Sequence, residues 1–232
     1  MSGIIESLQA KQWLWQGKHL PSGYNYSIDT GFDLLNQKLN GGWPRHGVVE
    51  LQCQMLAIGE IRLLLPSLTQ LAQSQSQSQS QSQYQTERLI FWVSPPAQIN
   101  AHALAVTGLP LSNMLIANDV SQSDSFWLTE QALSSGCCAM VILWCESINL
   151  AQAKRLQFAA KQGSCLGFVI RPFSDVEQSL PVAARMRISP HPQGLSIDIR
   201  KRLGGYPVSP FTLDLSAQWP ELYPQKSTLR GK

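Results

Sequence analysis

The sequence has few charged residues and no long apolar run. Charged side chains make up 14% of its 232 residues, against about 25% in typical soluble domains. The hydrophobic content of 44% is ordinary and excludes wholesale disorder. No apolar stretch approaches the ~18 residues that a membrane-spanning helix needs, and the N-terminal segment has no basic region or cleavage site of a signal peptide. We therefore expect a cytoplasmic protein with no membrane partner.

Signatures of metal binding and nucleophilic catalysis are also missing. The five cysteines form no C-x-x-C pair, the four histidines are scattered, and no G-x-S-x-G motif occurs. Cysteines in or beside apolar segments of a protein from a reducing compartment are usually buried free thiols. We expect no metal site and no catalytic nucleophile.

Segments of helical and strand character alternate along most of the chain. Residues 48–51, 89–93, 114–116, 139–143 and 166–170 read as strands, with helical patterns between them. This order favours a mostly parallel sheet with helices on both faces. Later the apolar period becomes two, so 185–189, 194–202 and 211–215 are interpreted as antiparallel strands. The predicted fold class is α/β with a C-terminal antiparallel extension.

The remaining segments set the predicted domain boundaries. Residues 1–23 form an N-terminal helix and linker, 24–215 one α/β domain, and 216–232 a flexible C-terminal tail. Within the domain, Gln and Ser alternate strictly over 73–83. Such a tract has no apolar side chains whose burial could offset the conformational entropy lost on ordering. Residues 73–86 are therefore predicted to be a disordered loop insertion.

A degenerate phosphate-binding loop follows the first long strand, in the stretch VVELQCQMLAIGEIRLLL. Gly59 stands where the second glycine of a P-loop belongs, but Glu60 replaces the lysine and Ile61 the hydroxyl residue. The strand that should end in the magnesium-binding aspartate ends at Trp144 instead. A carboxylate beside a triphosphate repels it. These losses predict no nucleotide cofactor and no enzymatic activity.

Candidate partner-binding residues lie near both ends of the chain. Residues 185–232 hold eight Lys/Arg and three Asp/Glu, a balance of +5. The candidates for a basic surface that contacts DNA or an acidic partner are Arg185, Arg187, Arg200, Lys201, Arg202 and Tyr206. An alternative is an edge strand that uses positive charge to block edge-to-edge pairing. The candidates for partner docking are Trp13, Trp15, Trp219 and Tyr223, with docking within the chain or a frayed end as alternatives.

Several short motifs resemble known bacterial families. The stretch YSIDTGFDLLNQKLNGGWPRHGVVEL resembles the entry to a RecA-type core. Pieces between Gly59 and Arg171, among them RLLLPSLTQL, FWVSPP and EQALSSG, resemble the cell-division inhibitors of the SulA family. With KRLGGYP and FTLDL added, the full motif order looks most like the ImuA family, the RecA-like accessory proteins of the bacterial mutasome.

The ImuA resemblance implies a RecA-like three-layer core and a non-catalytic, SOS-induced role in error-prone translesion DNA synthesis. Its implied partners are an ImuB-like polymerase hub, RecA, the DnaE-type error-prone polymerase complex and DNA. It also implies association with the nucleoid after DNA damage. The alternative, implied by the SulA resemblance, is an SOS cell-division inhibitor that binds FtsZ and blocks its polymerisation.

Overall fold

A computed structural model of the chain describes residues 27–78, 88–174, 179–202 and 205–222. The strands are β1 Ser27–Ile28, β2 Trp43–Pro44, β3 Gly47–Cys53, β4 Leu89–Val93, β5 Met114–Ala117, β6 Cys138–Trp144, β7 Leu166–Pro172, β8 Ala184–His191, β9 Gly194–Lys201 and β10 Phe211–Asp214. The α-helices are α1 Asp33–Lys38, α2 Glu60–Ser78, α3 Ala101–Val106, α4 Gln122–Ser134 and α5 Leu150–Gln162. Single turns of 3₁₀ helix occur at Leu111–Asn113 and Pro220–Leu222.

One eight-stranded sheet organises the described residues, in the order β10-β9-β8-β3-β7-β6-β4-β5. The six strands from β8 to β5 pair in parallel, whereas β8, β9 and β10 pair antiparallel. This arrangement confirms a mixed α/β fold with a largely parallel sheet and antiparallel strands near its C-terminal end. The short strands β1 and β2 form a separate antiparallel pair.

Apolar side chains pack against both faces of the sheet. All seven residues of β3 are buried, and successive residues of a strand point to opposite faces. Val49, Leu51 and Cys53 join a cluster that includes the apolar residues of α2. Val48 joins a second cluster with Leu133 of α4 and residues of α5. Helices therefore cover both faces, which explains why the central strands read as continuous apolar runs.

The structure corrects the sequence-based boundaries of α2. Its backbone stays helical through Pro66 and on to Ser78, six residues into the Gln/Ser tract that was predicted to be a loop from residue 73. Buried leucines on both sides of the proline, Leu64 and Leu68, hold the helix against the sheet. Glutamine is a good helix former, so the helix can extend beyond its packed part. The rest of the tract, 79–86, lies outside the described residues.

Two further differences concern the C-terminal part of the chain. Strand β8 was predicted to pair only antiparallel, but it also pairs in parallel with β3, with Arg185 opposite Glu50. Residues 216–222, predicted to begin a flexible tail, pack on the domain instead. Trp219 lies against the main apolar cluster, and the Gln218 side-chain amide donates to the Gly31 carbonyl at 3.2 Å. Burial of the Trp219 ring gives this segment the apolar contact that a frayed end lacks.

No helix in the described parts of the chain is long and apolar enough to cross a membrane.

Candidate functional site

In the loop between β3 and α2, which the sequence analysis interpreted as a degenerate P-loop, a carboxylate of the chain itself accepts hydrogen bonds from the backbone amides. Glu60, the first residue of α2, is buried. Its Oε1 accepts the N–H of Ala57 at 2.9 Å and its Oε2 accepts the N–H of Gly59 at 3.1 Å. Gly59 adopts a φ of 123°, which favours glycine. The Glu60 side chain thus satisfies donors at the start of a helix, where negative charge is favourable.

This geometry leaves the loop poorly suited to a triphosphate. The amides of Ala57 and Gly59 already donate to Glu60, and a phosphate placed there would meet a buried negative charge. Ile61, at the position of a P-loop hydroxyl, packs on the apolar cluster instead. The interpretation that nucleotide is not bound remains a prediction, and these contacts are its physical basis.

Trp144 ends β6 beside a second buried tryptophan. The rings of Trp144 and Trp92 lie 5.5 Å apart between centroids, tilted by 51°. The next residue, Cys145, has a pKa raised to about 12 because burial disfavours the thiolate, while Glu146 is exposed. The described chain therefore places an indole rather than a carboxylate at the end of this strand.

A cavity of about 960 Å³ opens between α2, α3 and the C-terminal segment. Glu60, Trp92 and Trp144 line it, and Trp219 and Leu222 contribute from residues beyond the sheet. The sequence pattern gave no sign of this cavity, because its walls come from four separate parts of the chain. Of the predicted docking residues, Trp219 therefore lines a cavity, while Trp13, Trp15 and Tyr223 lie outside the described residues.

On the opposite face of the sheet, arginines surround one buried carboxylate. Glu50 Oε1 accepts the Nε of Arg171 at 2.8 Å, and Oε2 accepts the Nε of Arg185 at 2.6 Å. The Gln52 side-chain amide donates to Glu50 at 3.0 Å and accepts from Arg187 Nε at 3.1 Å. We call these five residues the Glu50 cluster. Two of its members, Arg185 and Arg187, were predicted as candidates, and Glu50, Gln52 and Arg171 were missed.

The Glu50 cluster fixes the charge state of its carboxyl group. Burial alone raises the pKa of Glu50, but hydrogen bonds from Gln52 and Arg185 and the charges of Arg185 and Arg171 outweigh it, so the pKa lies below its usual value. The signal that could have revealed this residue is a lone glutamate inside an apolar, β-branched strand, because a buried charge requires a partner. The sequence alone does not identify that partner.

The other predicted basic residues make hydrogen bonds of their own beside the Glu50 cluster, and Lys201 lies opposite Arg185 in the β8–β9 pair. Lys201 donates to the Leu180 carbonyl at 3.2 Å, and its pKa is lowered by burial and by the charge of Arg185. Arg200 pairs with Asp198 at 3.3 Å. Arg202 donates to the carbonyl of Lys38 at 2.7 Å, and Tyr206 is 86% exposed. Their role as a partner-binding surface therefore stays a prediction.

Two exposed apolar surfaces were not predicted. The first, which we call the β5 edge surface, consists of Val106, Leu111, Leu115 and Ile116, on α3 and on or beside the last strand of the sheet. Val106 is 76% exposed. The second, the helix surface, consists of Trp127 on α4 and Phe158 on α5, which are 56% and 71% exposed. Exposed large apolar side chains in groups mark candidate protein-binding surfaces.

Among the described residues, no group of three or more His, Cys, Asp or Glu is arranged to hold a metal ion.

The proteins that this chain resembles belong to one family. The family model "Cell division inhibitor SulA" matches residues 50–167. SulA of Photorhabdus laumondii is 35% identical over 85 residues, which are 37% of this chain and 48% of that protein. SulA of Yersinia enterocolitica is 28% identical over 127 residues, which are 55% of this chain and 68% of that protein. A crystal structure of SulA from Pseudomonas aeruginosa matches 54% of this chain and 98% of its own, with 24% identity and a TM-score of 0.42.

The family match over residues 50–167 corrects the assignment to the ImuA family. The motifs that favoured ImuA, KRLGGYP and FTLDL, lie outside the matched residues, and each is too short to define a family. The predicted mutasome role is wrong, and so are its partners, the ImuB-like hub, RecA, the DnaE-type polymerase complex and DNA. The interpretation of the loop before α2 as a degenerate P-loop has no support from the family match either. The predicted association with the nucleoid falls with that role. The relatives are named for inhibiting division and not for a reaction, which agrees with a non-enzymatic protein. The matched region spans half of the sequence, and the chain belongs to the SulA family of cell division inhibitors.

Proposed function

We propose that this protein inhibits bacterial cell division by binding FtsZ and blocking its polymerisation, as part of the SOS response. The observation that carries the proposal is the family match over residues 50–167. The chain spans about half of the Photorhabdus relative and about two thirds of the Yersinia relative. The inhibition of division and the binding of FtsZ are therefore proposals for this chain.

We propose the β5 edge surface as the region that contacts FtsZ. It lies within the residues matched by the family model. Strand β5 ends the sheet, and Leu115 and Ile116 of this strand are both exposed. An edge strand with exposed apolar side chains can pair with a partner through its free backbone groups and bury those side chains at the same time.

The inhibition should not require ATP. The amides that would hold phosphate donate to Glu60 in the folded protein, so the binding surface is present without a nucleotide. A stoichiometric, nucleotide-independent protein–protein contact is therefore the expected mode of action.

Purified FtsZ tests the function and its surface together. Sedimentation of FtsZ polymers with GTP should fall as the protein is added, and expression in cells should give filaments. The double variant Leu115→Lys/Ile116→Lys should abolish both effects, while Phe158→Lys, at a more exposed apolar residue on α5, should leave them unchanged. Full polymerisation with excess wild-type protein would overturn the function. Inhibition that survives the edge variant but is lost in Phe158→Lys would overturn the surface alone.

We also propose that the α/β domain is a RecA-like three-layer core that extends over residues 24–215. The support is the largely parallel sheet with helices packed on both of its faces. We also propose a cytoplasmic location, as expected from the sequence.

A further inference from the structure

We propose that the apolar cavity between α2, α3 and the C-terminal segment binds the N-terminal segment of the same chain, residues 1–23, through its stretch Trp-Leu-Trp at 13–15. Trp13 and Trp15 were predicted to dock on a partner or within the chain, and the cavity provides a site for docking within the chain. This contact does not depend on the proposed binding of FtsZ, and its test does not involve FtsZ.

The described part of the chain begins beside this cavity. Strand β1 starts at Ser27, and four residues later Gly31 packs against the ring of Pro66 so closely that no Cβ would fit between them. Pro66 lines the cavity, and so does Gln218, whose side-chain amide donates to the Gly31 carbonyl at 3.2 Å. The N-terminal segment therefore joins the domain next to a wall of the cavity.

The chain before Ser27 is long enough to return to the cavity. Trp15 precedes Ser27 by twelve residues, and an extended residue spans at most about 3.5 Å, so the two can lie up to about 40 Å apart. The stretch Pro-Ser-Gly at 21–23 interrupts the helical pattern of residues 4–15. A turn at this point would direct the two tryptophans back onto the domain.

The composition of the two chain ends favours the N-terminal segment as the occupant. The C-terminal end is also near, because Leu222 lines the cavity. Residues 223–232, however, hold two large apolar side chains and three Lys or Arg. Residues 1–15 hold seven large apolar side chains and one charged residue of each sign. An apolar cavity therefore fits the N-terminal segment better, because burial of a charge without a partner costs free energy.

The lining of the cavity has the character that such a segment requires. Its walls include Ile61 of α2, Ile99 before α3 and Trp219. Among the described residues, Glu60 and Arg62 are the charged members of the lining, and their signs cancel. The volume of about 960 Å³ is at the upper end of the range for binding cavities. Two tryptophan side chains, which bury about 150–250 Å² each, match a cavity of this size.

Photo-crosslinking on the full chain tests where the segment binds. The photoreactive residue p-benzoylphenylalanine replaces Gln98, an exposed residue that lines the cavity. In the matched control it replaces Phe158, an exposed residue of α5 on the opposite face of the sheet. Irradiation of the Gln98 variant should link it to residues 1–23 of the same chain, identified by mass spectrometry of peptides from the band of monomer mass. The Phe158 variant should give no such link.

Substitutions in the segment test whether the tryptophans are responsible. In the Gln98 crosslinking variant, Trp13→Ser/Trp15→Ser should reduce the yield of the link about tenfold, because the segment then spends most of its time released from the cavity. Gln9→Ser/Gln12→Ser changes two polar residues of the same segment and should leave the yield unchanged.

Filling of the cavity tests the same contact without any change in the segment. Ala103→Trp alters an exposed residue that lines the cavity, and it should raise the rate of trypsin cleavage after Lys11 about tenfold by displacing the segment. Ala151→Trp, at an exposed alanine of α5, is the matched control and should leave this rate unchanged. Cleavage within residues 27–222 should be equally slow in both variants, which excludes misfolding as the cause.

Three results would overturn the inference. The first is the absence of a link from position 98 to residues 1–23, or a link to residues 223–232 in its place. The second is a link found only at twice the mass of the chain, which would assign the cavity to the segment of a second copy. The third is a link whose yield is unchanged in Trp13→Ser/Trp15→Ser, which would show that the tryptophans do not hold the segment.

Discussion

Two buried glutamates on either side of one loop are stabilised in different ways. Glu50 lies in the middle of β3 and contacts the side chains of Arg171 and Arg185, 121 and 135 residues further along the chain. Glu60 lies at the start of α2 and contacts backbone amides one and three residues away. One carboxylate is held by the tertiary structure, and the other by the local turn.

The difference determines what each residue contributes. Glu50 pairs with two arginines whose side chains are only 7% and 13% exposed, so its loss would leave their charges without a carboxylate partner. Glu60 satisfies two amides at a helix start, where water or another cap can substitute in part. Glu50 therefore joins β3 to β7 and β8, whereas Glu60 sets the conformation of the loop beside the cavity.

The largest expected effect is the loss of the Glu50 carboxylate. Glu50→Ala should lower the free energy of unfolding by about 3–5 kcal/mol, because the Arg171 and Arg185 charges stay buried and unpaired. Urea denaturation followed by circular dichroism measures this change. Glu130→Ala is the matched control, since Glu130 pairs with Arg155 at the exposed surface, and should cost less than about 1 kcal/mol. Equal effects of the two variants would contradict the comparison.

The contribution of the Glu50 cluster to stability should be lost at acid pH. The pKa of Glu50 in the folded protein lies below its usual value of 4.5, so its stabilisation is present above that pH and is lost as pH falls through the folded pKa. Urea midpoints measured from neutral to acid pH should fall in the wild type and fall less steeply in Glu50→Gln. Parallel pH profiles would show that Glu50 is not the group responsible.

Removal of the local carboxylate should have a smaller effect. Glu60→Ala leaves the amides of Ala57 and Gly59 without their acceptor and should cost about 1–2 kcal/mol. Glu60→Gln retains one acceptor oxygen and should cost about half as much. Thermal unfolding measures both, with the exposed Glu146→Ala as control. A cost for Glu60→Ala as large as that of Glu50→Ala would remove the distinction between tertiary and local stabilisation.

The smallest effect is expected at the C-terminal strands. Arg202 donates to the carbonyl of Lys38, 164 residues away, in a partly buried contact. Arg202→Ala should lower the free energy of unfolding by about 0.5–1.5 kcal/mol, the usual net value of the partly buried hydrogen bond, because the second bond of this side chain, from Nε to the Tyr206 carbonyl, is exposed. Arg200→Ala, which affects an exposed pair with Asp198, should change stability by less than about 0.5 kcal/mol. Urea unfolding measures both variants. A larger loss of stability in Arg200→Ala than in Arg202→Ala would show that the Arg202 contact does not stabilise the fold.

Most of the fold could be predicted from local patterns. The apolar runs at 89–93 and 139–143 and the period of two after residue 185 became β4, β6 and the antiparallel strands. The parallel pairing of β8 with β3 could not be predicted, because pairing joins residues that are far apart in sequence. The end of α2 was misplaced because composition does not show how far a packed helix propagates.

The candidate site was predictable only in part. Gly59 and Glu60 were found because a P-loop has a fixed spacing, but the indoles of Trp92 and Trp144 meet in space alone. Arg185 and Arg187 were found from the charge balance, while their partner Glu50 was missed. The family was misassigned because short motifs at the ends outweighed the longer match over residues 50–167.

The sequence by itself determined the order of most helices and strands, because this order follows from the period of the apolar residues along the chain. The tertiary structure decided which charges are buried together and that Trp219 belongs to a cavity wall. The reason is physical: burial and pairing depend on distances between strands, and those distances are set by the packing of the whole sheet.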